Sequence, residues 1–64
     1  MKTKTEIKVK LIGEDGNAFA ILARVRTALI RGGRKDLVEQ FTKEATSGDY
    51  NHLLCTVMEY VRVY

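Results

Sequence analysis

Cysteine, histidine and proline are almost absent from this sequence: its 64 residues include one Cys, one His and no Pro. Cys55 has no second cysteine with which to form a disulfide inside the chain. His52 alone leaves no cluster from which a zinc site is built. We therefore expect no metal, no cofactor and a reducing, cytoplasmic location. No internal repeat or low-complexity tract is present either.

Long hydrophobic runs and a strong charge of one sign are also missing. The longest uncharged apolar run, residues 18–23, is much shorter than the roughly 18 residues that indicate a membrane span, so we expect no membrane partner. Eleven Lys and Arg against eight Asp and Glu give a net charge of +3, which permits an anionic partner without requiring one. A hydrophobic content of 45% with 30% charged residues is typical of a folded globular chain rather than a disordered one.

The chain is organised around residues 17–33, where both ends of a long apolar stretch carry helix signals. Apolar residues recur every three or four positions, which lines up one face of an α-helix: Phe19, Ile21, Leu22, Val25, Ala28 and Leu29. Arg24, Thr27 and Arg31 fall on the other side. Asn17 is a suitable N-cap, and Gly32 with Gly33 supplies a left-handed stop. The spacing therefore predicts a core helix over this stretch.

A strand is predicted at each end of the chain. Residues 4–12 alternate, with Thr5, Ile7, Val9 and Leu11 on one face and Lys4, Glu6, Lys8 and Lys10 on the other. Residues 59–64 alternate Val61 and Val63 with Tyr60, Arg62 and Tyr64, and they are rich in β-branched and aromatic residues. We expect the first strand to be half-buried and the second to close the chain.

Two further helices are predicted between the core helix and the last strand. Residues 34–47 carry Leu37, Val38, Phe41 and Ala45 at helical spacing, with Asp36 near the start and Lys43 near the end. Gly48 has the character of a C-cap, and Asp49 that of the N-cap of a third helix over residues 50–58. The inner face of that third helix is predicted to hold Leu53, Leu54 and Val57.

The order β-α-α-α-β predicts a single α+β domain over residues 1–64. Two strands alone are marginal in water, so we expect the terminal strands to pair and the helices to cover one face. If each of the three helices reverses the direction of the chain, the two strands run parallel. A short third helix that crosses the others would make them antiparallel, and both arrangements remain open. So short a chain buries only about 60% of the surface that it exposes when unfolded. Its thin core and open sheet edges favour a homodimer.

Two groups of residues invite a chemical interpretation that the sequence does not favour. The Ile-Gly-x-x-Gly pattern at residues 12–16 resembles phosphate-binding loops and the loop of the RNA-binding KH domain. Its Glu14 and Asp15 would repel phosphate, however, and two carboxylates are too few for a calcium site. Asp49, His52 and Cys55 lie three residues apart on the third helix, but N-capping, hydrogen bonding and burial explain them without catalysis. We do not expect an enzyme.

A basic sheet face is the candidate binding surface. If the strands pair, the face opposite the core combines charge with aromatic rings, as single-strand nucleic-acid binders do: Lys4, Lys8, Lys10, Tyr60, Arg62 and Tyr64. Arg31, Arg34 and Lys35 form a second basic cluster at the first turn between helices. A solvated strand face explains the same residues, and Glu6 and Glu59 dilute the charge.

Two stretches carry a family resemblance: IGEDGNAFAILARVRTAL at residues 12–29 and KEATSGDYNHLLCTVMEYV at residues 43–61. They resemble a family of small uncharacterised bacterial and phage or mobile-element proteins. The resemblance implies a prokaryotic or phage setting and no assigned activity, cofactor or site residue. We therefore expect a small structural or protein-interaction module with an unknown protein partner. Nucleic-acid binding through the basic, tyrosine-bearing face is the alternative.

Overall fold

The secondary structure follows the predicted order β-α-α-α-β, and the domain is a single small α+β unit. The computed structural model describes residues 3–11, 13 and 16–64. Its elements are β1 (Lys8–Val9), α1 (Ala18–Arg31), a 3-10 turn (Lys35–Leu37), α2 (Val38–Ala45), α3 (Tyr50–Tyr60) and β2 (Arg62–Val63). Ile12, Glu14 and Asp15, which belong to the predicted end of the first strand and to the turn after it, lie outside the described residues.

The two terminal strands pair in parallel, with Lys8 opposite Arg62 and Val9 opposite Val63. This result settles the direction that the sequence left open. Hydrogen bonds continue beyond the regular ladder, because Leu11 N–H donates to the Tyr64 carbonyl over 2.8 Å. Side-chain burial alternates as predicted along the first strand. Thr5 and Val9 are buried, whereas the residues that point to the other face are exposed: Lys4, Glu6, Lys8 and Lys10.

The regular strands are shorter than predicted because α3 is longer than predicted. Residues 59 and 60 were expected in the last strand, but both are helical. The carbonyls of Glu59 and Tyr60 accept hydrogen bonds from Lys4 N–H and Thr5 N–H over 2.8 and 3.1 Å. The Thr5 hydroxyl also donates to the Tyr60 carbonyl over 2.7 Å. The start of the predicted first strand therefore caps a helix end instead of joining a ladder.

Both predicted caps of α1 are present. The Asn17 side chain accepts from Phe19 N–H over 2.8 Å, and Gly33 has a φ of 79°, in the left-handed region. The prediction that Phe19 belongs to the core is wrong, since 81% of its surface is exposed. Ile21 lies about 200° farther round the helix and takes the buried position, followed at four-residue spacing by Val25 and Leu29. The side chain of Leu22 is only partly buried.

The core joins one face of α1 to the inner faces of α2, α3 and the sheet. Its buried apolar residues are Val9, Ile21, Val25, Leu29, Phe41, Ala45, Leu53, Val57, Tyr60 and Val61. Tyr60 was predicted on the outer sheet face, and that placement is wrong because its exposure is 0%. Helical backbone at this position turns the ring inward, where it meets Phe41 edge to face with 5.3 Å between centroids.

The joint between α2 and α3 also differs from its prediction. α2 ends at Ala45, and the backbone N–H of its C-cap, Thr46, donates to the Thr42 carbonyl over 3.1 Å. Gly48 does not have the positive φ of a left-handed cap. A Cβ there would lie 2.8 Å from Cγ of His52, so glycine makes room for that ring. Asp49 is the N-cap of α3, as predicted, and accepts from His52 N–H over 2.9 Å.

Candidate functional site

The free edge of β1 presents unpaired backbone groups. Arg62 N–H donates to the Ile7 carbonyl over 2.8 Å, and Tyr64 N–H donates to the Val9 carbonyl over 3.1 Å. In a parallel ladder, alternate residues of a strand bond to the same neighbour. Lys8 and Lys10 therefore direct their N–H and C=O groups away from β2. Across the described residues, no protein group hydrogen-bonds to these four atoms.

A groove of about 640 Å³ runs along this edge, between β1 and α1. One side is formed by residues 7–10 and the other by α1 and the glycine after it. The α1 side contributes Ala23, Arg24, Thr27, Ala28, Arg31 and Gly32. Apart from the two arginines, these residues are small. A main chain can therefore approach the β1 edge closely along much of the groove.

The groove is cationic. Lys8, Lys10, Arg24 and Arg31 line it, and the described lining residues include no Asp or Glu. The sequence predicts the first two on the sheet face and Arg31 in a separate cluster. The structure brings all three together and adds Arg24, which was not assigned. Arg24 and Arg31 are seven residues apart, about two helical turns, so their common side of α1 was the signal that pointed to the missing residue.

The outer sheet face keeps only part of the predicted basic and aromatic surface. Lys8, Arg62, Val63 and Tyr64 line an open depression there. Tyr64 is 55% exposed, as the prediction requires. Glu6 lies 3.2 Å from the Arg62 guanidinium and offsets its charge. This depression therefore combines one exposed ring with the Lys8 ammonium group, in place of the larger set that was predicted.

Tyr60 and Lys4, both predicted on that face, form an internal contact. The Lys4 ammonium lies 5.4 Å from the centre of the Tyr60 ring, within the range of a cation–π interaction. The Tyr60 hydroxyl donates to a carboxylate oxygen of Glu44. Burial first, and the hydrogen bond to Glu44 second, raise the pKa of Tyr60 to about 12. A buried ring cannot stack on a base, so Tyr60 is not available to a ligand.

The second predicted basic cluster is divided by the fold. The Arg34 guanidinium lies 3.2 Å from the Asp36 carboxylate. This hydrogen bond, more than the charge itself, lowers the pKa of Asp36. Lys35 lines a different groove, between α1 and α2, together with Arg26, Glu39 and Lys43. Of the three clustered residues, Arg31 alone lines the β1–α1 groove.

The arrangement of Asp49, His52 and Cys55 is structural. His52 Nε2 lies 2.8 Å from the Glu44 carbonyl and 3.0 Å from the Ser47 hydroxyl, which ties α3 to the end of α2. Cys55 is exposed, contrary to the expectation that it would be buried. The imidazole is therefore engaged with the α2 terminus rather than placed as a base for a thiol.

Comparisons with known proteins add no assignment to this site. No family model, no curated protein and no solved structure matches the chain. The resemblance to small bacterial and phage proteins therefore stays a prediction. Within residues 3–11, 13 and 16–64, no group of three His, Cys, Asp or Glu residues is placed to hold a metal ion. In the same ranges, no helix combines the length and apolar character that crossing a bilayer requires.

Proposed function

We propose that this chain is a protein-interaction module that binds an acidic partner in the groove between β1 and α1. The observation that carries the proposal is the set of cations along one groove: Lys8, Lys10 and Arg31. Cations that converge on a concave surface create a local positive potential, which attracts and orients an anionic partner. A reducing, cytoplasmic setting belongs to the proposal, since the exposed Cys55 has no second cysteine in the sequence.

A charge-reversal experiment tests whether binding depends on the cations of the groove or only on the net charge of the protein. The probe is a fluorescent ten-residue peptide in which Glu alternates with Val, and its binding is measured by anisotropy at low salt. Lys10→Glu with Arg31→Glu should weaken binding roughly tenfold or more, because two attractions become two repulsions. Affinity for the unmodified protein should also fall as salt rises, since exposed charges are screened over about 10 Å at 0.1 M.

The chain offers a matched control for this experiment. Lys35→Glu with Lys43→Glu changes the net charge by the same amount, but both residues line the groove between α1 and α2. This variant should bind the peptide nearly as well as the unmodified protein. An equal loss in both double variants would show attraction to overall charge and would contradict the proposal.

Single-stranded nucleic acid is the second candidate partner. The observation in its favour is the exposed Tyr64 ring, which lines one depression with Lys8 and Arg62. A twelve-residue oligothymidylate tests it in the same assay. Under this alternative, the oligonucleotide binds more tightly than the peptide, and Tyr64→Ala costs about 1–3 kcal/mol of binding free energy. Binding of the acidic peptide alone, unaffected by Tyr64→Ala, supports the protein partner.

A further inference from the structure

We infer that the groove takes an extended acidic peptide segment, which adds to β1 as a third strand of the sheet. This inference rests on the proposed function and specifies how the partner is held. Its basis is the juxtaposition of a free strand edge with converging cations. The groove supplies main-chain hydrogen bonds at Lys8 and Lys10 as well as the charges of their side chains and of Arg31.

The free backbone groups have the pattern that strand addition needs. Lys8 in β1 and Lys10 just after it are alternate residues of the segment that pairs with residues 62–64, so their two N–H and two C=O groups face the same side. Groups two residues apart on a strand are separated by about 7 Å, which matches the repeat of an incoming strand. Main-chain pairing of this kind gives affinity, while side chains on alternate positions give specificity.

The opposite edge of the sheet is a poorer template. β2 comprises only Arg62 and Val63. Arg62 and Tyr64 direct their N–H groups toward β1, which leaves Val63 to face outward. The β1 side has a groove beside it, and its pairing with β2 continues beyond the ladder to Leu11. Strand addition is therefore favoured at β1.

The cations select the chemistry of the incoming segment. Exposed lysines on an edge strand disfavour pairing with a second copy of the same edge, because like charges would meet across the new ladder. Acidic side chains at alternate positions would instead lie beside Lys8 and Lys10 on the outer face. The residues between them would face Ala23, Thr27 and Ala28, which leave space for small or β-branched side chains. A nucleic acid carries no strand-like series of amide donors and would use the side chains alone.

Backbone methylation of the probe tests this mode of binding. The alternating Glu-Val peptide is prepared with N-methyl groups on all Glu residues or on all Val residues. Each set of amides faces one edge of an added strand, so only one of the two peptides loses its bonds to β1. We expect that peptide to bind at least roughly tenfold more weakly, and the other to bind about as well as the unmethylated probe.

Two measurements on the protein complete the test. Amide exchange at Lys8 and Lys10 should slow at least roughly tenfold in the complex, while the Val63 amide is unchanged. Lys8→Pro removes an edge N–H that β2 does not use, and Lys8→Ala is its control for the lost charge. The proline variant should bind the probe several-fold more weakly than the alanine variant. If the proline variant fails to fold, the methylated peptides and amide exchange still show whether the peptide adds to β1 as a strand.

The results separate this inference from the proposed function. If the peptide depends on Lys10 and Arg31 but both methylated forms bind equally and the edge amides stay unprotected, strand addition is overturned and the acidic-partner function stands. If the peptide does not bind at all, both are overturned. Unequal methylated peptides with protected Lys8 and Lys10 amides support both.

Discussion

Tyr60 connects distant parts of the chain through one side chain. Its ring contacts Phe41 of α2, its backbone carbonyl accepts from Thr5, and its hydroxyl donates to Glu44. The Lys4 ammonium lies 5.4 Å from the ring centre. A tyrosine in this position satisfies its one polar atom at the edge of the core while the ring fills the interior. The neutral phenol is therefore the form that the folded protein favours.

Raising the pH through the ionisation of Tyr60 should destabilise the fold. The pKa of Tyr60 is raised to about 12 in the folded protein, against about 10 for an unfolded chain. The stabilisation is fully present below pH 10 and is lost as the pH rises to about 12, to a total of roughly 2–3 kcal/mol. Urea unfolding between pH 9 and pH 12 measures it. Tyr60→Phe should lose less stability over this interval, and identical pH slopes would refute the assignment.

Single residues show where sequence periodicity is sufficient to predict burial and where it is not. Val25, Leu29 and Phe41 were placed in the core from spacing alone, and all are fully buried. Phe19 has the same spacing, but it lies in the first turn of α1 and its side chain projects beside the core rather than into it. Tyr60 fits a strand alternation and a helical face equally well. Its placement depended on where α3 ends, which is a tertiary property.

At the scale of elements, the contact between the end of α1 and β1 depends on Gly32. A Cβ at this position would lie 2.5 Å from Cδ1 and 2.8 Å from Cγ1 of Ile7, and 3.2 Å from the Ala28 carbonyl oxygen. Its φ of −84° is ordinary for any residue, so space rather than backbone conformation requires the glycine. The same contact helps to hold the two sides of the groove together.

Gly32→Ala should therefore lower the free energy of unfolding by roughly 1–3 kcal/mol, because Ile7 must move to accommodate the methyl group. Urea denaturation measures the loss. Ile7→Val removes the nearest carbon atom, so the cost of Gly32→Ala should be smaller in that background. Independent, additive effects of the two substitutions would show that this contact does not set the cost.

The elements themselves were largely predictable, and their boundaries were less so. Alternation predicted the first strand, and Asn17, Gly33 and Asp49 fixed three helix ends by local chemistry that needs no tertiary information. The second helix was predicted over residues 34–47, but it begins as a 3-10 turn before α2 starts at Val38. Nothing in the local pattern distinguishes that turn from a first helical turn.

At the scale of the molecule, most residues of the candidate site were predictable, but their convergence was not. Lys8, Lys10 and Arg31 were named from the sequence, and Arg24 lies on a helix side that the sequence identified. Their convergence depends on the parallel pairing of β1 with β2 and on α1 lying beside the free edge of β1. Both features follow from how the helices cross one another, and no short-range pattern in the sequence determines that crossing. The groove therefore emerged only from the complete fold.

Self-association, which the thin core favours, should use a different surface from this groove. Phe19 is 81% exposed, Met58 is 55% exposed and Tyr50 is 45% exposed. Tyr50 lines two neighbouring depressions, one with Phe19 and one with Met58, so the three residues form a continuous apolar patch. A domain with so small a core gains stability when such a patch is buried. A dimer formed there leaves the cationic groove open to a partner.

We therefore expect sedimentation equilibrium at high micromolar concentration to show a homodimer that Phe19→Ser with Met58→Ser converts to a monomer. The control is Ile30→Ser, which alters another exposed apolar residue of α1, in the groove shared with Lys35 and α2. This variant should remain dimeric, because its side chain lies outside the patch. A monomer for the unmodified chain would contradict the dimer, and a dimer that survives both serines would place its interface elsewhere. Acidic-peptide affinity should be the same in the dimer and in the serine variant, since the two surfaces are separate.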